Sequence, residues 1–212
     1  NIIAIHAEIE SEILKNEAGV THVHGIALKG GLLKSSEQFE GIIFKGVTED
    51  YPWGKLQSFL VEGTFPDLTG DPSNEIFLSK TIARRLSVEP GDELTAYFQS
   101  SNNQQLPNQR KFKIVGLFLS GFPDFDDNFV LGDLRHIQRM NKWKEDEIGA
   151  YEIFTTDLKT AISSGPSIYR KIPSDLDVIE ITRQYASIFQ WISLFDFNIL
   201  IIIIVMIIVG VI

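Results

Sequence analysis

The chain has 212 residues, which is enough for one large domain or two small ones with a buried core. Its formal net charge of -9 opposes contact with nucleic-acid phosphates, so we expect no nucleic-acid partner. The absence of cysteine excludes a disulfide framework, a thiol nucleophile and a Cys-ligated zinc site. The sequence starts at Asn1 without an initiator Met or a signal-peptide pattern, so we expect a fragment whose N-terminus lies upstream.

The first half of the chain is predicted to combine a helix with short strands. In chain order, the pattern predicts a helix over residues 2–15, a hairpin of strands 21–33 and 38–47, a helical patch at 56–60 and a strand at 75–78. Ser79 is a favourable N-cap, and it predicts a helix that runs through Leu86. Gly30, Gly31 and Gly91 are interpreted as turn glycines rather than as a phosphate cradle.

The second half continues this mixture. In chain order, the pattern predicts strands at 93–98, 111–119 and 129–131, a helix from Asp133 to Met140, a strand at 151–154, a helix at 158–170 and a strand at 178–181. Strands and helices are interleaved without a regular βαβ repeat. The sequence therefore predicts an α+β fold, a mixed domain with two subdomains.

The end of the chain is strongly apolar. No charged residue follows Asp196, and residues 197–212 read FNILIIIIVMIIVGVI. A helix of this length spans about 24 Å at about 1.5 Å per residue, whereas a bilayer core needs roughly 30 Å. A buried core helix is the alternative, but the run has neither a polar stripe nor a terminating cap. We expect a soluble domain over residues 1–182 and a continuous helix over 183–212, which enters the membrane from about residue 197.

Two clusters of polar residues could suggest metal binding. Asp124, Asp126 and Asp127 partly match the start of an EF-hand loop, but Phe125 interrupts the spacing, and a solvated turn is the better interpretation. His22 and His24 share one face of a predicted strand, where they could bind zinc together with His6 or His136. Nothing in the sequence brings those partners together, so two histidines on a strand surface are favoured.

The sequence offers no recognisable catalytic constellation. No G-x-S-x-G motif is present, and scattered Ser, His and Asp residues do not define a triad. We therefore expect that the chain is not an enzyme and carries no cofactor. A membrane-anchored enzyme is the weakest alternative.

Three segments resemble one family in their order along the chain. Residues 75–98 read EIFLSKTIARRLSVEPGDELTAYF, residues 110–118 read RKFKIVGLF, and residues 129–143 read FVLGDLRHIQRMNKW. Together they resemble the extracytoplasmic domain of bacterial ABC transporter permeases of the FtsX/MacB-like type. The resemblance is closest to the lipoprotein-releasing, LolC/LolE-type permeases.

This resemblance implies a MacB-like periplasmic core that faces the periplasm from the bacterial inner membrane. It implies a cytoplasmic ABC ATPase subunit as a partner, and the chain itself has no Walker-type motif. A second permease copy or a paralogue and a periplasmic lipoprotein carrier are the other implied partners. The implied function is transmission of ATP-driven motion for lipoprotein release. The alternatives are an FtsX-like module that activates a cell-wall hydrolase and a MacB-like efflux permease.

One polar loop is the candidate partner contact. In lipoprotein-releasing permeases a protruding hairpin with a proline near its tip captures the lipoprotein carrier. The matching loop, residues 100–109, reads SSNNQQLPNQ, and its candidate contact residues are Gln104, Gln105, Leu106 and Pro107. The arm is short, and an ordinary polar hairpin loop between the strands predicted at 93–98 and 111–119 is the alternative interpretation.

Overall fold

The computed structural model describes residues 5–6, 14–36, 38–99, 107–174 and 176–211. Its strands are β1 (Ile5–His6), β2 (Val20–Lys34), β3 (Phe39–Val47), β4 (Leu60–Gly63), β5 (Glu75–Ser79), β6 (Glu93–Phe98), β7 (Asn108–Phe118), β8 (Phe129–Asp133), β9 (Glu147–Ile148) and β10 (Ala150–Thr155). Its helices are a 3-10 helix (Trp53–Phe59), α1 (Lys80–Leu86), α2 (Pro123–Asp126), α3 (Leu134–Asn141), α4 (Leu158–Tyr169), α5 (Ile181–Gln184) and α6 (Ala186–Val211). This mixture confirms the predicted α+β class. The chain divides into two compact units, residues 1–15 with 22–153 and residues 16–21 with 154–212.

The first unit is built on a closed ring of strands. β2 pairs with β3, β3 with β8, β8 with β5, β5 with β7, β7 with β6, and β6 returns to β2. β4 pairs with the C-terminal part of β7, beyond the residues of β7 that pair with β6, and β10 lies next to β2. The predicted hairpins β2–β3 and β6–β7 are both present, and their antiparallel registers are continuous.

Large apolar side chains fill the inside of this ring. Phe44, Phe98 and Phe112 are fully buried, and the ring centroids of Phe44 and Phe112 are 5.1 Å apart. α1 contributes Ile82 and Leu86 to the same core, and α3 contributes its own buried apolar residues. α1 begins where the sequence predicts, because the Ser79 hydroxyl accepts hydrogen bonds from the backbone N–H groups of the first turn.

The second unit is mainly helical. Asp157 caps α4 by accepting a hydrogen bond from the Thr160 N–H. Lys171 forms an ion pair with Glu17, which ties the segment before β2 to the residues that follow α4. α6 is the longest helix within the described residues, with 26 residues.

Several predicted elements differ from the structure. The helix over residues 2–15 is wrong at Ile5–His6, which form β1 and pair with β9, whereas residues 1–4 and 7–13 lie outside the described part of the chain. Residues 178–180 have no regular structure and Ile181 begins α5, so the predicted strand is also wrong. A run of apolar residues forms a strand only when it finds a hydrogen-bonding partner, and four residues of sequence do not reveal one.

The terminal helix is also divided. α5 ends at Gln184, and Tyr185 adopts φ -115 and ψ 41, which is not helical. The helix therefore does not run continuously from residue 183. The new helix, α6, starts at Ala186.

Candidate interaction surface

The outer face of strands β3, β2, β6 and β7 carries two rows of side chains. Residues that pair across antiparallel strands project to the same side of a sheet. The first row consists of Phe39, Lys34, Thr95 and Lys111. The second row consists of Gly41, Leu32, Tyr97 and Gln109.

Burial shows which way each row points. Leu33, Ala96 and Phe98 occupy the alternate positions and are completely buried in the ring. Leu32 is 49% exposed and Phe39 is 59% exposed, although both are large and apolar. The two rows therefore form an outer surface on which apolar side chains face solvent.

A groove of about 600 Å³ lies on this surface. The residues that line it are almost entirely apolar: Gly30, Gly31, Leu32, Phe39, Tyr97, Phe98, Gln99 and Pro107. A Cβ atom at Gly30 would have no heavy atom within 4 Å, so the floor of the groove is bare backbone there. A Cβ at Gly31 would lie 2.8 Å from the Phe98 ring, so a glycine is needed where β2 and β6 approach each other. Both glycines lie inside β2, and the turn predicted for them is wrong.

Two lysines stand beside the groove. The Lys34 Nζ lies 5.3 Å from the centroid of the Phe39 ring, a cation–π contact. Lys111 is exposed on β7, on the far side of Thr95. Neither lysine takes part in an ion pair within the described residues. The edge of the groove is thus locally basic on a chain that is acidic overall.

The described end of the predicted partner-contact loop lies at this groove. Pro107 is exposed and lines the groove, next to the first residue of β7. Gln104, Gln105 and Leu106 lie outside the described residues. The sequence analysis did not find the groove itself, because its residues come from four separate segments. Within the predicted hairpin, the only sign of the groove was the pair of large apolar residues Leu32 and Phe39 at exposed alternate positions.

The acidic cluster has a structural role at one position. Asp126 is buried, and its carboxylate accepts hydrogen bonds from the Ser120 N–H at 2.9 Å, the Ser120 hydroxyl at 2.8 Å and the Gly121 N–H at 2.9 Å. Asp127 instead binds Arg85 at the surface. The prediction of a solvated turn is therefore wrong for Asp126, because the N–H groups of the preceding turn need an acceptor.

The two strand histidines do lie together, as predicted. The rings of His22 and His24 are stacked, with centroids 5.9 Å apart. His24 is buried rather than exposed, and its Nδ1 lies 3.5 Å from an Asp50 carboxylate oxygen. Burial lowers the pKa of His24, and the neighbouring Asp50 carboxylate partly opposes that shift. His136 lies elsewhere, on α3, where its Nε2 is 2.8 Å from the Ser73 carbonyl oxygen.

A buried charged group on β3 was not anticipated. The Lys45 Nζ lies 2.6 Å from a Glu152 carboxylate oxygen and 3.2 Å from the Tyr51 hydroxyl. Burial is the main cause of a raised pKa for Tyr51, and the Glu152 carboxylate adds to the shift. The three residues are too far apart in sequence for a local pattern to connect them. Their contacts link β3 to β10 across the intervening strand β2.

Among the residues that the structure describes, no group of three or more His, Asp or Glu side chains is arranged to hold a metal ion. Within the same described residues, no helix is both long enough and apolar enough to cross a membrane.

The sequence matches no protein-family model and no curated protein. The fold, however, is similar to solved structures. The extracellular domain of the noncanonic ABC-type transporter YknZ from Gram-positive bacteria superimposes with a TM-score of 0.53 at 17% identity, covering 81% of this chain and 83% of that chain. The periplasmic region of MacB from Actinobacillus actinomycetemcomitans gives a TM-score of 0.53 at 14% identity, covering 80% of this chain and 73% of that chain.

The chain therefore shares its fold with the extracellular domain of YknZ and the periplasmic region of MacB. This confirms the predicted MacB-like core. The narrower resemblance to LolC/LolE-type permeases stays a prediction.

Proposed function

We propose that this chain is the extracytoplasmic domain of an ABC transporter permease and faces the periplasm from the inner membrane. The observation that carries the proposal is the fold shared with YknZ and MacB, which covers about four fifths of the chain. Fold alone does not define function, but the similar YknZ structure is the extracellular domain of an ABC-type transporter.

In this proposal the chain performs no covalent chemistry and works mechanically. A separate ATPase subunit in the cytoplasm hydrolyses ATP, and the permease works with a second copy or a paralogue. The closed ring of strands is suited to such a role, because its strands are hydrogen-bonded on both sides and move as one body. The motion would reach a cargo or partner outside the membrane.

Contact with lipid is proposed for the second half of α6. Its described side chains are apolar and exposed around the whole helix, from Ile199 at 55% to Val209 at 68%. A uniformly apolar helix surface is unfavourable in water and favourable in a bilayer. We expect a chain that ends at Asp196 to stay in solution when vesicles are sedimented, whereas the full chain sediments with them. Equal sedimentation of the two chains would contradict this assignment.

We propose lipoprotein release as the transport function, with residues 104–107 as the contact for a lipoprotein carrier. The exposure of Pro107 beside an apolar groove supports this choice. A MacB-like efflux permease is the second candidate, and the fold shared with MacB favours it. Activation of a cell-wall hydrolase, as in FtsX-like proteins, is the third.

The first experiment tests the permease assignment. The intact protein is purified from native membranes in a mild detergent, and co-purifying proteins are identified by mass spectrometry. We expect an ABC ATPase subunit in stoichiometric amount. If no ATPase subunit is present in several detergents, the permease assignment is wrong.

The second experiment tests the cargo. A photo-crosslinking residue replaces Leu106 in living cells, and the same residue replaces exposed Arg84 on α1 as the control. Capture of a soluble lipoprotein carrier at residue 106 alone supports lipoprotein release. Capture of an efflux adaptor or of a cell-wall hydrolase favours the corresponding alternative, and equal capture at both positions removes the loop from the proposal.

A further inference from the structure

We infer that the groove on the outer face of β2 and β6 binds an amphiphile that has one alkyl chain and an anionic head group. The alkyl chain lies in the groove, and the head group contacts Lys34, Thr95 and Lys111. This inference goes beyond the proposed function and does not depend on it, because it rests only on the geometry of the first unit.

The groove fits an alkyl chain in size and chemistry. Ligand pockets in proteins usually measure about 300–1,000 Å³ and are mostly apolar with a few polar groups, and this groove has a volume of about 600 Å³. Leu32, Phe39 and Tyr97 provide apolar walls, and the open space above Gly30 provides a floor without a side chain. Burial of Leu32 and Phe39 by a ligand would remove exposed apolar surface from water.

The backbone of the groove argues against an extended peptide as the occupant. Gly31 and Leu32 pair with β3 on one side and with β6 on the other. The backbone N–H and C=O groups along both edges of β2 are therefore already hydrogen-bonded here, and no strand edge in the groove is open to a further strand. A peptide laid on this floor would bury backbone N–H and C=O groups without partners, which is costly. An alkyl chain has no polar group to satisfy.

The charges beside the groove select the head group. Lys34 and Lys111 lie on either side of Thr95 in one cross-strand row. Two strand spacings separate their backbones by roughly 10 Å, so both long side chains can reach one group placed above Thr95. Two ammonium groups and a hydroxyl suit a phosphate, sulfate or carboxylate, because hydrogen bonds between ionised partners are the stronger ones. Leu32 and Tyr97 in the neighbouring row are the apolar wall residues, which places the chain of the amphiphile beside its head group.

The test uses the full chain in the presence of neutral phosphatidylcholine vesicles. The probe is dodecyl phosphate with a photoreactive diazirine in its alkyl chain, and the matched probe has the same chain with a maltoside head group. Labelled peptides are mapped by mass spectrometry, so that label in the groove is separated from label acquired by partition into lipid. We expect the phosphate probe to label the peptides that contain Gly30 to Leu32 and Tyr97 to Gln99. The maltoside probe should label them about tenfold less, because it lacks the two ion pairs of moderate strength that the phosphate forms with the lysines.

Variants connect the label to the proposed contacts. Gly30→Ile fills the floor and should abolish labelling, whereas Gly54→Ile, which also points into open space, should not. Lys34→Gln and Lys111→Gln should each reduce labelling by about three- to fivefold. Lys113→Gln, which lies opposite Glu93 on the same face, should leave it unchanged.

Four outcomes would overturn the inference. The first two are equal labelling by the two probes and labelling of Gly30→Ile at the wild-type level. The third is loss of labelling when inorganic phosphate alone is added. The fourth is a greater loss of labelling with an acidic leucine-rich peptide than with unlabelled dodecyl phosphate. None of them bears on whether an ATPase subunit co-purifies with the intact protein, so failure here and failure of the proposed function are distinguishable.

Discussion

Replacing Glu152 with alanine is expected to destabilise the first unit by leaving the Lys45 ammonium buried without its counter-ion. The Lys45 side chain is 8% exposed and the Glu152 side chain is 30% exposed. Breaking a buried ion pair by removing one partner costs about 3–5 kcal/mol. Glu152 is partly solvated and the Tyr51 hydroxyl still contacts Lys45, so we expect a loss of about 2–3 kcal/mol in the free energy of unfolding.

The assay is equilibrium unfolding in urea, followed by tryptophan fluorescence, to which Trp53 in its aromatic cluster contributes. Lys45→Met combined with Glu152→Leu should recover most of the lost stability, because the pair is then replaced by apolar side chains of similar size. The control is Asp127→Ala, which breaks an exposed pair with Arg85 and should cost less than about 1 kcal/mol. The reasoning is refuted if Glu152→Ala costs no more than this control, or if the double variant is less stable than the single one.

Three further predictions concern a cap, a close backbone approach and a buried histidine. Ser79→Ala should lower the free energy of unfolding by about 1–2 kcal/mol in urea, since the hydroxyl caps α1, and a loss below measurement error would contradict the cap. Gly116→Ala should cost about 2–3 kcal/mol in the same assay, because its Cβ would lie 2.1 Å from the Thr64 carbonyl oxygen; Gly54→Ala, which has open space, is its control. Burial is the main cause of the lowered pKa of His136, whose Nε2–H donates to the Ser73 carbonyl. The unfolded chain therefore binds this proton first, and stability should fall as the pH drops from about 7.5 to about 5.5. His136→Gln should flatten that decline, and an unchanged slope in urea unfolding at several pH values would contradict it.

Local sequence signals predicted the elements whose stability is mostly local. The hairpins β2–β3 and β6–β7, together with the cap at Ser79, follow from alternation, turn residues and a hydroxyl at the right position. Strand β9 and the pairing of β1 with it were missed, because each is two residues long and their contacts join distant parts of the chain. The closure of β6 onto β2 was also missed, because this pairing joins distant parts of the chain.

The candidate site was predicted only in part. Pro107 was selected by resemblance, and the structure places it at the groove. The lysine row could not be found from sequence alone, because Lys34 and Lys111 face each other only when three strands take one register. A single-residue slip of β6 would turn Tyr97 inward and Phe98 outward, and the groove would not exist.

The closed ring also limits how this domain can change during evolution. In an open sheet, an inserted residue shifts one strand against its neighbour, and the free edge absorbs the difference. In a ring, the staggers between successive strands must add up to a fixed total, so a shift in one pairing requires an opposite shift in another. Insertions and deletions should therefore be confined to the connections, such as the loop between β6 and β7, whereas strand lengths stay constant. The connection between β6 and β7 can vary in length and chemistry among relatives without changing the strand registers that form the groove.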